Sequence, residues 1–223
     1  GEAITAGKET NGFFVKTSEG NVLKTKKIIL AGGIRDLLPE IKGFDACWGI
    51  SVLHCPFCHG YEVAGKPTFI YAAGEVAFHM CMLISNWTKQ ITLILYDASG
   101  LLPEQKQIII RNGIEVMEDN IAALHHHKGM LESLELKSGK TIKGTVMYAR
   151  PAFEQNGSIA SDLNCEVLDS GHLKCDEMQR SNAPGVFVAG DNSSPMRSVS
   201  QSVAAGTRAG AAVVFELNGE AFV

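Results

Sequence analysis

Residues 68–77 read Thr-Phe-Ile-Tyr-Ala-Ala-Gly-Glu-Val-Ala, a short apolar run that ends in a turn of small residues. An apolar segment of helical length follows to about Trp87, and a second apolar run occupies residues 91–97. A strand, a tight turn, a helix and a second strand in this order form a βαβ unit, with parallel strands and a right-handed crossover. The sequence therefore predicts half of a dinucleotide-binding fold.

The turn at residues 72–77 is a degraded G-x-G-x-x-[GA] fingerprint, because alanine replaces the first glycine. Gly74, Glu75 and Ala77 are its candidate nucleotide contacts, and Asp97 ends the next strand. A carboxylate there bonds a ribose 2′-hydroxyl and repels a 2′-phosphate, so NADH is favoured over NADPH if a nicotinamide dinucleotide binds. The alternative is that Gly74 and Ala77 only allow close packing of helix on strand.

The remaining chain divides by the same signals of periodicity and turn residues. Residues 121–148 are rich in strands that alternate apolar and polar side chains, which predicts a half-exposed antiparallel sheet. Residues 185–191 read Gly-Val-Phe-Val-Ala-Gly-Asp and precede a predicted helix over 200–217, a pattern that suggests a ligand at a helix N-terminus. Further strands are predicted at 13–15, 21–25, 28–30 and 114–117, and a further helix at 104–111.

Residues 55–58 read Cys-Pro-Phe-Cys and are flanked by His54 and His59. Two intervening residues let the sulfurs close a small, reducible ring, and a flanking histidine can serve as acid or base for the departing thiolate. The same spacing also occurs in structural zinc sites, which need four ligands. Cys165 and Cys175 are ten residues apart and form no second close pair, so redox chemistry is favoured and zinc remains the alternative.

The other cysteines and a histidine run are interpreted as structural. Cys81 lies on the apolar face of the predicted helix near Phe78 and Met82, which is typical of a small core residue. Residues 125–127 are three histidines, of which at most two can face one side of a strand, so the end of a hairpin is favoured over a metal site. The same core assignment is made for Cys47, Cys165 and Cys175.

Composition narrows the classes of partner. The chain has 223 residues and a formal charge of −4, without a run of like charges or a basic stripe, which argues against nucleic acid and anionic membranes as partners. It has no apolar run long enough to span a membrane and no secretion signal at its start, so a cytoplasmic location is predicted.

Three features together resemble the thioredoxin-reductase-like pyridine nucleotide-disulfide oxidoreductases. They are the Cys55-x-x-Cys58 pair ahead of the turn at 72–77, the Ala-Gly-Gly turn at 31–33, and residues 185–191. The resemblance implies an α/β fold with two Rossmann-like, three-layer domains. Residues 1–43 and 151–223 would belong to the FAD-binding domain, and residues 44–150 would form the pyridine-nucleotide-like domain that carries the dithiol.

The resemblance also implies roles for single residues. Cys58 would face the flavin, Cys55 would exchange with a thioredoxin-like protein or a small dithiol or disulfide, and His59 would act as the acid or base. Asp191 would bond the ribityl chain of FAD and Gly190 would allow close backbone approach. FAD and NAD(P)H are the implied cofactors, a homodimer is the implied assembly, and the other flavin-side candidates are Gly32 and Gln201.

Two departures from the family pattern concern the reaction. His59 replaces the acid that usually follows the second cysteine, as in a branch that includes dithiol oxidases, so thioredoxin as the substrate stays open. Leu95, Tyr96 and Asp97 stand where NADPH-dependent relatives carry a basic cluster. Electron transfer to oxygen is therefore an alternative to reduction by a nicotinamide.

A third departure concerns the flavin domain, which in this family opens with a G-x-G-x-x-G motif that these residues lack. The expectation is a chain that starts in the middle of that domain, with the flavin domain incomplete at its N-terminus, and that holds FAD weakly on its own. The alternative from another class is a truncated, non-catalytic module that binds a nucleotide or zinc.

Overall fold

The computed structural model describes residues 1–222. Contacts group the chain into two compact units, one of Gly1–Leu37 with Phe153–Val223 and one of Leu38–Ala152. The middle of the chain thus forms one unit and its two ends form the other. Assignment of a flavin or a nucleotide to either unit stays a prediction.

The first segment consists of short strands. Phe13 and Ala6 are buried in it and pack with Val186 and Val188 from the end of the chain in one apolar cluster. The first three strands form an antiparallel sheet in chain order. The strands are β1 (Ala3–Glu9), β2 (Gly12–Thr17), β3 (Val22–Thr25), β4 (Ile28–Leu30) and β5 (Ile34–Leu37).

The middle unit contains the predicted βαβ arrangement. It opens with α1 (Phe44–Cys47), β6 (Val52–Leu53) and α2 (Pro56–His59). The βαβ arrangement is β7 (Thr68–Ala73), α3 (Gly74–Ile84) and β8 (Ile91–Asp97), followed by α4 (Pro103–Arg111) and β9 (Glu115–Met117). The later strands are β10 (Ile121–His127), β11 (Met130–Leu136), β12 (Thr141–Lys143) and β13 (Val146–Ala149).

Two sheets organise this unit. A parallel sheet has the strand order β6-β13-β7-β8-β9, and an antiparallel sheet has the order β10-β11-β12. One apolar cluster lies between the parallel sheet and α3 and includes Ile70, Ala77 and Leu93. A second cluster on the other face includes Ile94, Met147 and Leu134 of the antiparallel sheet. The unit therefore has a central parallel sheet covered on both faces, as expected for a βαβ fold.

The chain then returns to the first unit. Its elements are β14 (Ala152–Gln155), α5 (Ile159–Asp162), β15 (Val186–Val188) and α6 (Val199–Phe222). Strand β14 pairs with β5, and β15 pairs with β4 in parallel. Within residues 1–222, none of the helices combines the length and the apolar content that a membrane crossing needs.

Two predictions about this fold need correction. The strand-rich passage over 121–148 is antiparallel only as far as β12, because β13 is buried throughout and pairs in parallel with β6 and β7. Its run Val-Met-Tyr-Ala does not alternate apolar and polar residues and has no charged side chain, as in a sheet covered on both faces. Met82 does not share the core face with Cys81, because Met82 is 54% exposed while Cys81 is 2% exposed.

A network of charged side chains fastens α6 to the rest of its unit. Lys27, just before β4, donates from Nζ to Glu216 at 2.9 Å and to Glu220 at 2.6 Å. Arg180 Nε donates to Glu216 at 2.7 Å. The hydrogen bonds from Lys27 and then Arg180 hold the pKa of Glu216 below its usual value. Glu216 is thus the shared acceptor of two cations.

We expect Glu216→Gln to lower the free energy of unfolding at pH 7 by about 1 kcal/mol, the upper end for partly exposed pairs. The folded-state pKa of Glu216 lies below its unfolded value. The stabilisation that its charged carboxylate provides is therefore fully present above the unfolded-state pKa and is lost as the pH falls through the folded-state pKa. Urea unfolding followed by circular dichroism should show a difference at pH 7 that narrows in acid. Glu220→Gln, which removes one exposed partner of Lys27, should cost less, and equal stability of all three proteins at pH 7 would contradict the expectation.

Candidate functional site

The dithiol lies at the start of α2, which begins directly after β6. Cys55 is the N-cap residue in an extended conformation, and Pro56 occupies the first helical position, where its fixed φ suits a helix start. The carbonyl oxygen of Cys55 accepts the backbone N–H groups of Cys58 at 3.3 Å and His59 at 3.2 Å. This single turn brings the two sulfurs to 3.0 Å, with both cysteines present as free thiols.

The Cys58 thiol has a raised proton affinity. The Cys58 thiol donates its proton toward the Cys55 sulfur. This hydrogen bond, with smaller contributions from burial and from charge on Cys55, raises the pKa of Cys58 to about 11. Cys58 therefore keeps its proton at neutral pH and directs it at Cys55. The arrangement is that of a dithiol able to form an internal disulfide by losing two protons and two electrons.

A tryptophan holds the end of the dithiol helix. A Cβ on Gly60 would lie 2.2 Å from Cε2 of the Trp87 indole and 2.4 Å from the carbonyl oxygen of Pro56. No larger residue fits there without displacing one of them. The Trp87 carbonyl oxygen also accepts the N–H of Gly65 at 2.9 Å. The glycine after His59 therefore has a structural cause, the close approach of the indole to α2.

His59 is the last residue of α2 and is exposed. It follows Cys58 directly, so the structure keeps it next to the dithiol in the chain. Its service as acid or base stays a prediction.

The turn between β7 and α3 lies at the carboxyl edge of the parallel sheet. Gly74 opens α3 with a φ of +51°, and a Cβ there would lie 2.5 Å from the carbonyl oxygen of Ser99. Ala77 is fully buried between α3 and the sheet. Both small residues are thus explained by packing. The backbone of Ser99 fills the space that a side chain at position 74 would need.

Asp97 ends β8 and is paired in register with Ala73. This places its exposed carboxylate beside the turn, as a ribose-binding acid requires. Oδ1 accepts the N–H of Ser99 at 2.8 Å, and the hydrogen bonds from Ser99 lower the pKa of Asp97. Glu75, in the first turn of α3, is also exposed and lies 3.5 Å from His79. The acid predicted from sequence is therefore at the sheet edge, but it already stabilises the loop that contains Ser99.

The first unit contains a second candidate site where β4 and β15 end side by side. The N–H of Ala189 donates to the carbonyl oxygen of Leu30 at 2.9 Å, and Nδ2 of Asn192 donates to the same oxygen at 2.8 Å. Gly190 has a φ of +97°, and a Cβ there would meet only the Ser202 hydroxyl at 3.7 Å. The backbone around Gly190 is therefore open to close approach by another molecule.

Two polar side chains at this site can receive a ligand. The carboxylate of Asp191 is half-buried and contacts only weakly the Ser202 hydroxyl of α6, at 3.4 Å. The Oδ1 atom of Asn192 is buried and has no hydrogen-bond partner. An orphaned acceptor beside an open glycine fits a ligand that donates hydroxyl protons, such as the ribityl chain of a flavin. Gln201 is half-buried in the first turn of α6, and Gly32 is exposed in the turn after β4.

Sequence reasoning missed three polar residues of these sites. Asn192 directly follows Asp191, so its position after an apolar strand was a usable signal. His172 is buried with its Nε2 atom unpartnered, and burial followed by the charge of Arg197 lowers its pKa. Tyr148 has a buried, unpartnered hydroxyl, and burial followed by negative charge on Cys55 raises its pKa. Neither His172 nor Tyr148 lies in a recognisable motif, so no local signal marked them.

The histidine run lies at the end of the β10–β11 hairpin, as expected. Nε2 of His125 lies 3.3 Å from Glu135, while Nδ1 of His126 accepts the N–H of Gly129 at 3.2 Å. Burial raises the pKa of Cys81 to about 12, and Cys47 and Cys165 are buried as well, whereas Cys175 is only half-buried. Across residues 1–222, no group of three or more His, Cys, Asp or Glu side chains is arranged to hold a metal ion.

Comparison with known proteins gives a consistent family. Residues 2–209 match the model for pyridine nucleotide-disulphide oxidoreductases. The chain is 27% identical to thioredoxin reductase sirT of Leptosphaeria maculans, covering 97% of this chain and 70% of that protein. It is 30% identical to thioredoxin reductase aclD of Aspergillus oryzae, covering 89% of this chain and 66% of that protein.

The fold is also shared with solved structures. The putative thioredoxin reductase TrxB from Bacillus anthracis has a TM-score of 0.91 at 23% identity, covering 98% of this chain and 74% of that one. This likeness confirms the predicted α/β, Rossmann-like fold. The chain spans between 66% and 74% of the length of these three relatives. With a family match over nearly its whole length, the chain is a thioredoxin-reductase-like member of the pyridine nucleotide-disulphide oxidoreductases.

Proposed function

We propose that this protein is a flavoprotein disulfide oxidoreductase that moves electrons between an external donor or acceptor, FAD and the Cys55–Cys58 pair. The observation that carries the proposal is the pair of free thiols 3.0 Å apart on one turn of helix. The family is one of oxidoreductases and implies flavin and nicotinamide cofactors. Because the named relatives are called thioredoxin reductases, we propose a thioredoxin-disulfide reductase-like activity, in the cytoplasm.

The two cysteines take different parts in the proposed exchange. Cys55 attacks the partner disulfide as a thiolate and forms a mixed disulfide, and the partner's second sulfur leaves as a thiolate. Cys58 then attacks Cys55, which releases the partner's remaining thiolate and leaves the Cys55–Cys58 disulfide. The high pKa of Cys58 supports this order, because Cys58 keeps its proton until the mixed disulfide has formed. His59 supplies or removes the protons.

The flavin, when bound, supplies the two-electron exchange with the dithiol. Asp191 would bond its ribityl chain, Gly190 would allow close approach, and Gln201 and Gly32 would contact it. We add Asn192 to this set because its buried Oδ1 lacks a partner. By this assignment residues 1–43 and 151–223 belong to the flavin domain, and residues 44–150 belong to the pyridine-nucleotide-like domain.

The nicotinamide proposal rests on Gly74, Glu75, Ala77 and Asp97. Asp97 favours NADH over NADPH, because its carboxylate would repel a 2′-phosphate. The carboxylate of Asp97 already accepts the N–H of Ser99 at 2.8 Å, and we assign no step to the nicotinamide.

A second candidate function is an oxygen-dependent dithiol oxidase of the same family. It is favoured by the lack of a basic cluster at residues 95–97 and by His59 in place of the usual acid. The partner would be a small dithiol, whereas a reductase would act on a thioredoxin-like protein or a small disulfide. A homodimer is proposed for either activity.

The absorption spectrum of the protein with added FAD separates these functions. Bleaching of the flavin by NADH or NADPH without oxygen supports the reductase and identifies its donor. Bleaching only by a small dithiol such as dithiothreitol, with recovery in air, supports the oxidase. No bleaching by any of the three, together with one tightly bound zinc and unreactive thiols, would leave only the non-catalytic module.

We expect Cys55→Ser to abolish disulfide turnover while leaving flavin reduction by a nicotinamide donor intact. The reason is that the exchange needs the sulfur of Cys55, whereas electron entry from the donor does not. Turnover is measured with a chromogenic disulfide and flavin reduction by absorbance. Cys81→Ser, which replaces a buried cysteine with a pKa of about 12, is the control and should retain turnover. Unchanged turnover in Cys55→Ser would refute the assigned role.

We expect Gly60→Ala to slow closure of the Cys55–Cys58 disulfide and to cost about 1–3 kcal/mol of stability, because a methyl group overlaps the Trp87 indole. Thiol oxidation by oxidised glutathione and thermal unfolding measure the two effects. Gly206→Ala is the control, since a Cβ there meets no atom within 4 Å and α6 tolerates alanine. Wild-type closure in Gly60→Ala would show that the indole does not hold the dithiol helix.

A further inference from the structure

The loop of residues 190–198 lies between β15 and α6 and carries the candidate flavin residues Asp191 and Asn192. Met196, in the second half of the loop, is 69% exposed. The N–H and the hydroxyl of Ser193 both donate to a carbonyl oxygen of the loop itself, each at 3.1 Å. The shape of the loop therefore depends on the contacts at its two ends.

Strand β14 holds the first end of the loop. Nε2 of Gln155 donates to the carbonyl oxygen of Asn192 at 3.1 Å and to that of Gly171 at 2.8 Å. The N–H of Leu173 donates to the same Asn192 oxygen at 2.8 Å. The backbone of Asn192 is thus fixed by two donors.

Arg197 holds the second end and contacts both strands of the β5–β14 pair. Its Nη1 atom donates to Oδ1 of Asp36 in β5 at 2.8 Å, and these two side chains are only 15% and 24% exposed. Its guanidinium carbon lies 4.9 Å from the ring centre of Phe153 in β14. A cation over an aromatic face is attracted to the ring, and more strongly when water is excluded. Arg197 therefore combines an ion pair and a ring contact, both partly shielded from water.

One face of β14 supports both ends of the loop. Phe153 and Gln155 are two residues apart on the strand, so they point to the same side of it. Both are half-buried, whereas Ala152 and Glu154 between and before them are exposed. The Phe153 ring also packs against His172, which is 4% exposed, with 4.8 Å between the ring centres. The ring that Arg197 contacts is thus itself held in place.

We infer that Arg197 is a positioning residue of the flavin site, which holds the loop of residues 190–198 in the shape that receives the flavin. The inference rests on the proposed function, because it takes the flavin site at Asp191 and Asn192 as given. These two side chains must face one ligand together, and ordering a free loop at the moment of binding costs conformational entropy. A loop that Arg197 has already ordered avoids that cost.

The charge of Arg197 is the feature on which this role depends. A planar guanidinium can lie on an aromatic ring and bond a carboxylate at the same time. Arg197→Met keeps a long, unbranched side chain but loses the ion pair with Asp36 and the attraction to the Phe153 ring. Arg197→Lys keeps the charge and can still reach the carboxylate. A role in packing alone would make the two variants equal.

The test titrates the unchanged chain and its variants with FAD and follows the anisotropy of the flavin fluorescence. Arg197→Met is expected to raise the Kd for FAD about tenfold, because the Kd rises as the fraction of molecules with a correctly shaped loop falls. Arg197→Lys should stay within about threefold of the unchanged chain, since it restores the charge without the planar group. Arg197→Met should have a smaller effect in Asp36→Asn than in the unchanged chain, as expected for two residues that act as a pair.

Arg35→Met is the matched control. Arg35 is the neighbour of Asp36 on β5, its side chain is 69% exposed, and its Nε donates to Glu154 of β14 at 2.7 Å. This ion pair joins the same two strands but does not include the loop. The affinity for FAD should be unchanged in Arg35→Met, and a loss equal to that of Arg197→Met would overturn the inference, because weaker pairing of the strands would then explain both.

Hydrogen exchange provides a measurement that needs no flavin. Peptides that cover residues 190–198 should exchange faster in Arg197→Met than in the unchanged chain, and at the unchanged rate in Arg35→Met. Unchanged exchange or unchanged affinity in Arg197→Met would overturn the inference and leave the proposed function in place. Absence of FAD binding by the unchanged chain would instead overturn the proposed flavin site. If Arg197→Met does not fold, Asp36→Asn takes its place in both measurements.

Discussion

The insertion of β13 between β6 and β7 is the constraint on which the middle unit depends. The backbone bonds from Val146–Ala149 to both neighbours close the parallel sheet, and its side chains fill the clusters on both faces. Because β6 leads straight into the dithiol helix and β7 into the turn at Gly74, this one strand sets the relative positions of both candidate sites in the unit. The thiols follow the carboxyl end of β6 and Asp97 is the last residue of β8, and this edge is where parallel sheets commonly bind ligands.

Local sequence patterns predicted the strands and helices whose formation depends on residues close together in the chain. The run at 68–77 gave β7 and the start of α3 because strand, turn and helix signals follow one another without interruption. The place of β13 could not be predicted, since a four-residue apolar run does not reveal partners that lie about 80 or more residues earlier in the chain.

Glycines at the three candidate sites have different physical causes. Gly74 is required by the carbonyl oxygen of Ser99 and Gly60 by the indole of Trp87, so neither is evidence of a ligand. A Cβ on Gly190 would meet only the Ser202 hydroxyl at 3.7 Å, and a buried, unpartnered amide oxygen follows two residues later. A motif that contains glycine therefore indicates a binding site only when the space beside the glycine is not filled by the protein itself.

The Trp87 indole contacts α2 at Gly60, on the buried side of the dithiol helix. Phe57 and Tyr61 flank Cys58 and Gly60 in sequence and are 78% and 84% exposed, so neither is needed to hold α2 in place. The indole packs against the buried Gly60, whereas the two aromatic rings are exposed on either side of it along the chain. Substitutions of the two exposed rings are therefore expected to leave the packing of the indole on α2 intact.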